Sequence, residues 1–102
     1  MIKSFVSHQC LHLVASSHPE AADRCLAVIV EGDAVLFIGD GVMRALDPGK
    51  EFLACFPVCY FSMVDLEARG VLPMAIEMGL RIVSDQEFVD LLAQHNQCLT
   101  WK

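Results

Sequence analysis

The sequence contains no G-x-G-x-x-G, no G-x-x-x-x-G-K-[ST], no H-E-x-x-H and no C-x-x-C. The common dinucleotide, phosphate-loop, zinc-protease and dithiol signatures are therefore missing, and the chain advertises no standard catalyst. Basic residues are scarce, since seven lysines and arginines face thirteen aspartates and glutamates for a formal charge of −6. Binding nucleic acid through its phosphates needs a lysine and arginine footprint, so direct contact with nucleic acid is argued against and would have to run through a partner. No apolar run approaches the roughly 20 residues that cross a bilayer. No charged-then-apolar leader opens the chain, and a cytoplasmic location is expected. There, five cysteines, an odd number with no even framework, read as reduced thiols and not as a disulfide scaffold. Internal repeats and low-complexity tracts are also absent.

What is present is grease. Of 102 residues, 55% are hydrophobic and only 20% charged, which fits one globular domain over residues 1–102 and leaves no room for two. A small core cannot hide that much apolar surface, so part of it should lie at an interface, and an oligomer is expected.

The most legible stretch runs from residue 17 to residue 41. Ser17 and Glu20 have the S-x-x-E spacing of a capping box, which predicts a helix starting near Pro19. Ala22, Leu26, Ile29 and Val30 recur at three- and four-residue intervals while Glu20, Asp23 and Arg24 fall elsewhere, the period of a half-buried helix. Gly32 stops it and Asp33 turns the chain. Residues 34–38 are apolar throughout and read as a central strand buried on both faces. Gly39-Asp40-Gly41 then ends that strand at the sheet edge where open α/β folds bind ligands. A ligand role there competes with a structural one, in which Asp40 caps the next helix and Gly41 supplies a backbone angle that other residues resist.

Around this stretch, residues 1–9 fit either an extension or an edge strand, and residues 10–14 a first strand. Residues 42–46 have helical spacing, stopped by Asp47-Pro48-Gly49, and residues 50–54 suggest another helical turn. Residues 56–63 are aromatic and β-branched and read as a second buried strand despite Pro57. Asp65 caps a short helix ended by Gly70. Residues 71–80 are ambiguous, with Pro73 and Gly79 inside an apolar run, and fit a loop lying on the core. Residues 81–83 form a short strand. Ser84 and Glu87 make a second capping box, and Phe88, Leu91, Leu92 and His95 trace one face of a final helix before a last strand at residues 98–101. Strands alternating with helices imply a single three-layer α/β domain, a mostly parallel sheet of about five short strands with right-handed crossovers and helices on both faces.

Several residues could carry chemistry. Cys55 and Cys59 could join His8, His12 or His18 on a metal, but a strand puts both thiols among packing residues, and free cysteine behaves as a small buried hydrophobe. Cys10 and His12 share that reading, with a strand histidine expected to be hydrogen-bonded structure. His95 ends its helix, where the dipole favours a cation. Cys25 lies mid-helix beside Arg24, whose charge favours a thiolate. Ala21, Ala22, Val28 and Ile29 surround it at helical spacing and should push its pKa up, so it works as a nucleophile only if that face opens to a cleft or a subunit seam. Trp101 should cover the sheet or an interface.

Leu11-His12-x-Val14, Glu31-Gly32-x-x-Val35-Leu36, Asp40-Gly41-Val42 with Ala45-Leu46, Asp65-Leu66-x-Ala68-Arg69-Gly70 and Trp101 together resemble the DsrH/TusB family of sulfur-relay subunits. Each motif is short, but five occur in order and cover nearly everything after Cys10. The resemblance implies a flavodoxin- or Rossmann-like subunit of a heterohexamer built from three related chains, TusBCD in tRNA thiolation or DsrEFH in sulfur oxidation. In TusBCD, persulfide sulfur passes from an upstream carrier toward the enzyme that makes 2-thiouridine at the tRNA wobble position. It further implies that the principal persulfide cysteine sits on the TusD/DsrE-like partner, whose motif is missing here. Cys25 matches a cysteine position of DsrH-type members that TusB-type members can lack. Residues 1–9 depart from the family pattern.

Two function classes follow. In one, Cys25 is a catalytic thiol that carries sulfur as a persulfide, as in a DsrH-type subunit. In the other, the chain is an architectural subunit whose apolar surface holds TusC/DsrF-like and TusD/DsrE-like partners together, with no cofactor of its own. A homo-oligomeric binder of a small ligand at the Asp40 loop is a third reading.

Overall fold

The structure, a computed structural model, describes residues 9–46, 54, 56 and 58–102. Strands β1 (Cys10–Val14), β2 (Ala34–Phe37), β3 (Cys59–Ser62), β4 (Ile82–Val83) and β5 (Gln97–Trp101) form one parallel sheet in the order β4-β3-β2-β1-β5. The helical elements are α1 (Pro19–Val28), a 3₁₀ helix (Gly39–Leu46), α2 (Met63–Ala68), α3 (Leu72–Glu77) and α4 (Asp85–Gln94). This is the three-layer α/β fold that the alternation of elements implies. None of these helices is long and apolar enough to cross a membrane.

Strand alternation divides the core in two. Val14, Val35, Phe37 and Phe61 point to one face and pack with Ala21, Ala22 and Cys25 of α1, Val42 and Ala45 of the 3₁₀ helix, Leu66 of α2 and Ala75 of α3. Phe37 stacks on Phe61 at 4.8 Å and meets Phe56 edge-on at 5.8 Å. Leu11, Leu13, Ala34, Leu36 and Val83 point the other way and meet Leu91 of α4. Every position of β1 and β2 is buried, as central parallel strands require.

The structure redraws four boundaries. Helix α1 does start at Pro19, but its N-cap is His18, which makes no side-chain cap, and the Ser17–Glu20 box does not form. The cause is Pro19: its ring keeps the preceding residue extended, and His18 has φ −66° and ψ 132°. The cap thereby moves one residue past Ser17, and Glu20 falls at N2, out of reach of a box. At its other end α1 stops at Val28, short of Gly32, where Val28, Ile29 and Val30 line up three β-branched side chains that helices tolerate poorly. A tight turn follows, with Asp33 N–H donating to the Val30 carbonyl at 3.0 Å and Gly32 at φ 96°.

The strand read over residues 56–63 covers only β3, because Ser62 is itself a helix cap whose Oγ accepts from Asp65 N–H at 3.4 Å. Asp65 therefore sits in the first turn of α2 and is not its cap. Residues 71–80 hold a helix, α3, and not a loop. Pro73 lies in its first turn, where an N–H has no helical partner to lose. Both α2 and α3 close with paired bonds around a left-handed glycine. Gly70 N–H donates to Glu67 O and Val71 N–H to Leu66 O; Gly79 N–H donates to Ile76 O and Leu80 N–H to Ala75 O.

The second capping box forms as read. Ser84 Oγ accepts from Glu87 N–H at 3.2 Å, and the Glu87 carboxylate accepts from Ser84 N–H at 2.8 Å. His95 caps the far end of α4 with its Nδ1 2.7 Å from Leu91 O, and Leu91 is the buried residue of the expected face. The readings for residues 1–8, the Asp47-Pro48-Gly49 stop, most of residues 50–54, Cys55 and Pro57 lie outside the described residues.

Candidate functional site

At the carboxyl end of β2 the Asp40 loop is structural in detail. The Asp40 carboxylate does not cap the 3₁₀ helix; its Oδ1 accepts from Arg69 Nη2 at 2.8 Å and Nε at 3.1 Å. Arg69 Nη1 also donates to Asp65 O at 3.2 Å, so the guanidinium ties the 3₁₀ helix to α2. Gly41 is needed for space and not for its backbone angle. A Cβ there would stand 2.0 Å from the Val14 carbonyl oxygen, which already accepts from Ile38 N–H at 3.0 Å. At the opposite, amino end of the strands a surface cavity of about 400 Å³ opens between Gln9, Glu31, Tyr60 and His95.

Cys25 sits on the buried side of α1 with no exposed surface. Burial is the main cause that pushes its thiol up to about 12, with Cys10 and the Asp33 charge adding to it. Cys59, half-buried against the same core, is also pushed up to about 12, by burial first and Cys25 second, against a lowering by Arg81. Cys10 is raised by burial and by Asp33, and Cys98, which is exposed, is raised by desolvation. None of these four thiols is poised as a thiolate at neutral pH. Among the described residues no three histidine, cysteine or acidic side chains gather as a metal group. His18 is exposed at the start of α1, while His8 and Cys55 lie outside the described residues.

The polar centre of the molecule joins residues that sequence reasoning kept apart. Asp33 is 4% exposed and His12 is 1% exposed, and His12 Nε2 lies 2.9 Å from Asp33 Oδ2. On the other side of the ring, Trp101 Nε1–H donates to His12 Nδ1 at 3.1 Å. An indole nitrogen can only donate, so Nδ1 must carry the lone pair and Nε2 the proton, which it gives to Asp33. Asp33 also accepts from Cys10 N–H at 3.0 Å and from Val30 N–H at 3.2 Å. Burial raises its pKa, but the bonds from His12, Cys10 and Val30 outweigh that and hold the carboxyl below its usual range. The network ties β1, the turn before β2 and the last strand into one unit.

That network has a chemical consequence for Cys25. His12 points to the same side of the sheet as Val14 and α1, yet both of its ring nitrogens are engaged, so no free base is offered to a thiol there. The histidine reading as hydrogen-bonded structure holds. Asp33 was visible only as a turn residue, and its one sequence signal is a charge leading straight into an all-apolar strand.

Comparison with known proteins gives a consistent picture. The DsrH family model, described as DsrH like protein, matches residues 15–98. Protein TusB of Pectobacterium parmentieri is 36% identical over 95 residues, which is 89% of this chain and 99% of that protein. Protein TusB of Pectobacterium atrosepticum is 33% identical over the same extent. Protein TusB of Photorhabdus laumondii subsp. laumondii is 29% identical over 77 residues, 72% of this chain and 80% of that protein.

Proposed function

This chain belongs to the DsrH-like family of sulfur-relay subunits, and from that premise we propose that it is an architectural subunit of a TusBCD-like complex. In that complex, persulfide sulfur moves toward 2-thiolation of the tRNA wobble uridine in the cytoplasm. Its partners are two paralogous chains, one TusC/DsrF-like and one TusD/DsrE-like, and the reactive cysteine belongs to the latter.

The state of Cys25 carries this reading. In persulfide transfer an acceptor thiolate attacks the outer sulfur of the donor, forms a new S–S bond, and the donor leaves as its own thiolate. No net oxidation occurs, so the acceptor's ionisation and reach decide everything. A thiol pushed up to about 12 is ionised to roughly one part in 10⁵ at pH 7. With no exposed surface, and no free base beside it among the described residues, Cys25 supports packing and not sulfur carriage. The exposed Val28, Val30, Val64, Met74, Ile76 and Val89 supply apolar surface of the kind that subunit contacts use.

Co-expression with the two paralogous chains tests this directly. The expected result is co-elution of all three chains in one assembly, a persulfide label on the TusD/DsrE-like chain, and an unmodified Cys25 after native alkylation and peptide mass mapping. A chain that elutes alone, or a persulfide found on Cys25, overturns it.

A further inference from the structure

Strand β5 is the open edge of the sheet. Among the described residues its one strand neighbour is β1, while the opposite edge, β4, is only two residues long. Four of its five residues are exposed, including Cys98 and Leu99, the latter at 46%. Edge strands are normally blunted with lysine, proline, a bulge or inward charge. Gln97-Cys98-Leu99-Thr100-Trp101 has none of these, and its register with β1 runs unbroken from Gln97 to Trp101.

The direction of the backbone groups follows from one bond and the register. The Trp101 carbonyl accepts from Ala15 N–H at 2.9 Å, and with β5 paired in register to β1 from Gln97 to Trp101 the odd-numbered residues face β1. By alternation the N–H and C=O groups of Cys98 and Thr100 point outward. These two residues flank Leu99 symmetrically. We propose that β5 is a self-docking strand, which pairs antiparallel with β5 of a second copy of this chain about a two-fold axis at Leu99.

In that register Cys98 of one copy opposes Thr100 of the other, and each such pair exchanges two N–H to O=C bonds. All four outward groups on each copy are then satisfied by their own counterparts. Leu99 meets its symmetry mate at the close, non-hydrogen-bonded position, which covers an exposed leucine on both copies. Gln97 opposes Trp101 and Asn96 opposes Lys102, so no like charges face each other across the ladder. A parallel partner strand would find no such centre of symmetry. The contact is short, which makes it a modest association for the isolated chain and a continuous sheet where two copies are brought together.

The test uses the full chain. Thr100→Pro removes an outward N–H only, so the β1–β5 ladder stays intact and circular dichroism should not change. Sedimentation of the wild-type chain over a concentration series should show reversible growth toward twice its 11.3 kDa mass, and Thr100→Pro should remain at monomer mass. In a Cys98→Ser background, Leu99→Cys should form an intermolecular disulfide under diamide at least tenfold faster than Val89→Cys, a somewhat more exposed site on α4. The expected Cα separation at a close antiparallel pair, about 4.5 Å, lies within disulfide reach. Equal cross-linking rates at the two sites, or wild-type and Thr100→Pro chains with the same sedimentation, overturn the proposal. The outcome is independent of the relay reading, because no paralogous chain is present in these measurements.

Discussion

Trp101 and His12 are separated by 89 residues, and the indole N–H of one donates to the imidazole Nδ1 of the other at 3.1 Å. This bond fixes the histidine tautomer, and the tautomer makes Nε2 a donor to Asp33. The edge strand β5 thereby gains a side-chain tie to the centre of the sheet in addition to its ladder with β1.

Replacing Trp101 with Phe keeps a ring over the sheet but leaves a buried acceptor without its donor. A loss of about 2 kcal/mol is expected, from the cost of an unsatisfied buried polar group. Urea denaturation followed by circular dichroism measures it, since this is the only tryptophan. An unchanged midpoint would mean that the indole bond contributes nothing to folding.

Asp33 links folding to acid. Unfolded, its carboxyl titrates near the ordinary 3.8; folded, it titrates lower, so the unfolded chain takes up the proton first as pH falls. Its contribution is therefore complete above pH 3.8 and is lost as pH drops through the folded value. Asp33→Asn should cost about 2 kcal/mol at neutral pH, the scale of hydrogen bonds to a charged group. Denaturant midpoints taken from pH 7 downward should show the gap between wild type and variant closing in acid. A constant gap over that range contradicts the assignment.

Two glycines offer a controlled contrast. Gly41→Ala drives a Cβ into the Val14 carbonyl and should cost about 3 kcal/mol, at the upper end of overpacking. Gly70→Ala meets nothing within 4 Å but must hold φ 70°, which should cost about 1 kcal/mol. Thermal melts rank the two, and the reverse order would show that the close approach is relieved by backbone movement.

The two S-x-x-E motifs differ in what they do. Ser84→Ala removes a working cap and should destabilise by about 1 kcal/mol, whereas Ser17→Ala, which removes no cap bond, should change stability by less than about 0.5 kcal/mol. Equal effects in equilibrium unfolding would place the α1 cap back at Ser17.

These contrasts show where local pattern is enough. Helix α4 was largely legible because its cap, its end and the Leu91 side of its apolar face are set within a dozen residues of chain, although Leu92 on that face is exposed. Helix α3 was not, since Pro73 and Gly79 read as breakers until their positions in the first turn and just past the last were known. At residue 41 the sequence pointed to glycine for its backbone angle, but the constraint comes from Val14, distant along the chain and adjacent in space.

Periodicity, capping chemistry and composition are local or additive, and by themselves they determined a one-domain parallel α/β chain with acid in excess, grease to spare and no standard catalytic motif. Only the tertiary structure decided that Cys25 is sealed and that Asp40 belongs to Arg69. It alone also joined His12, Asp33 and Trp101 in one buried network. Those outcomes depend on which side chains the crossovers bring within 3 Å of one another, and hydrogen bonding and desolvation act at that range whatever the separation in sequence.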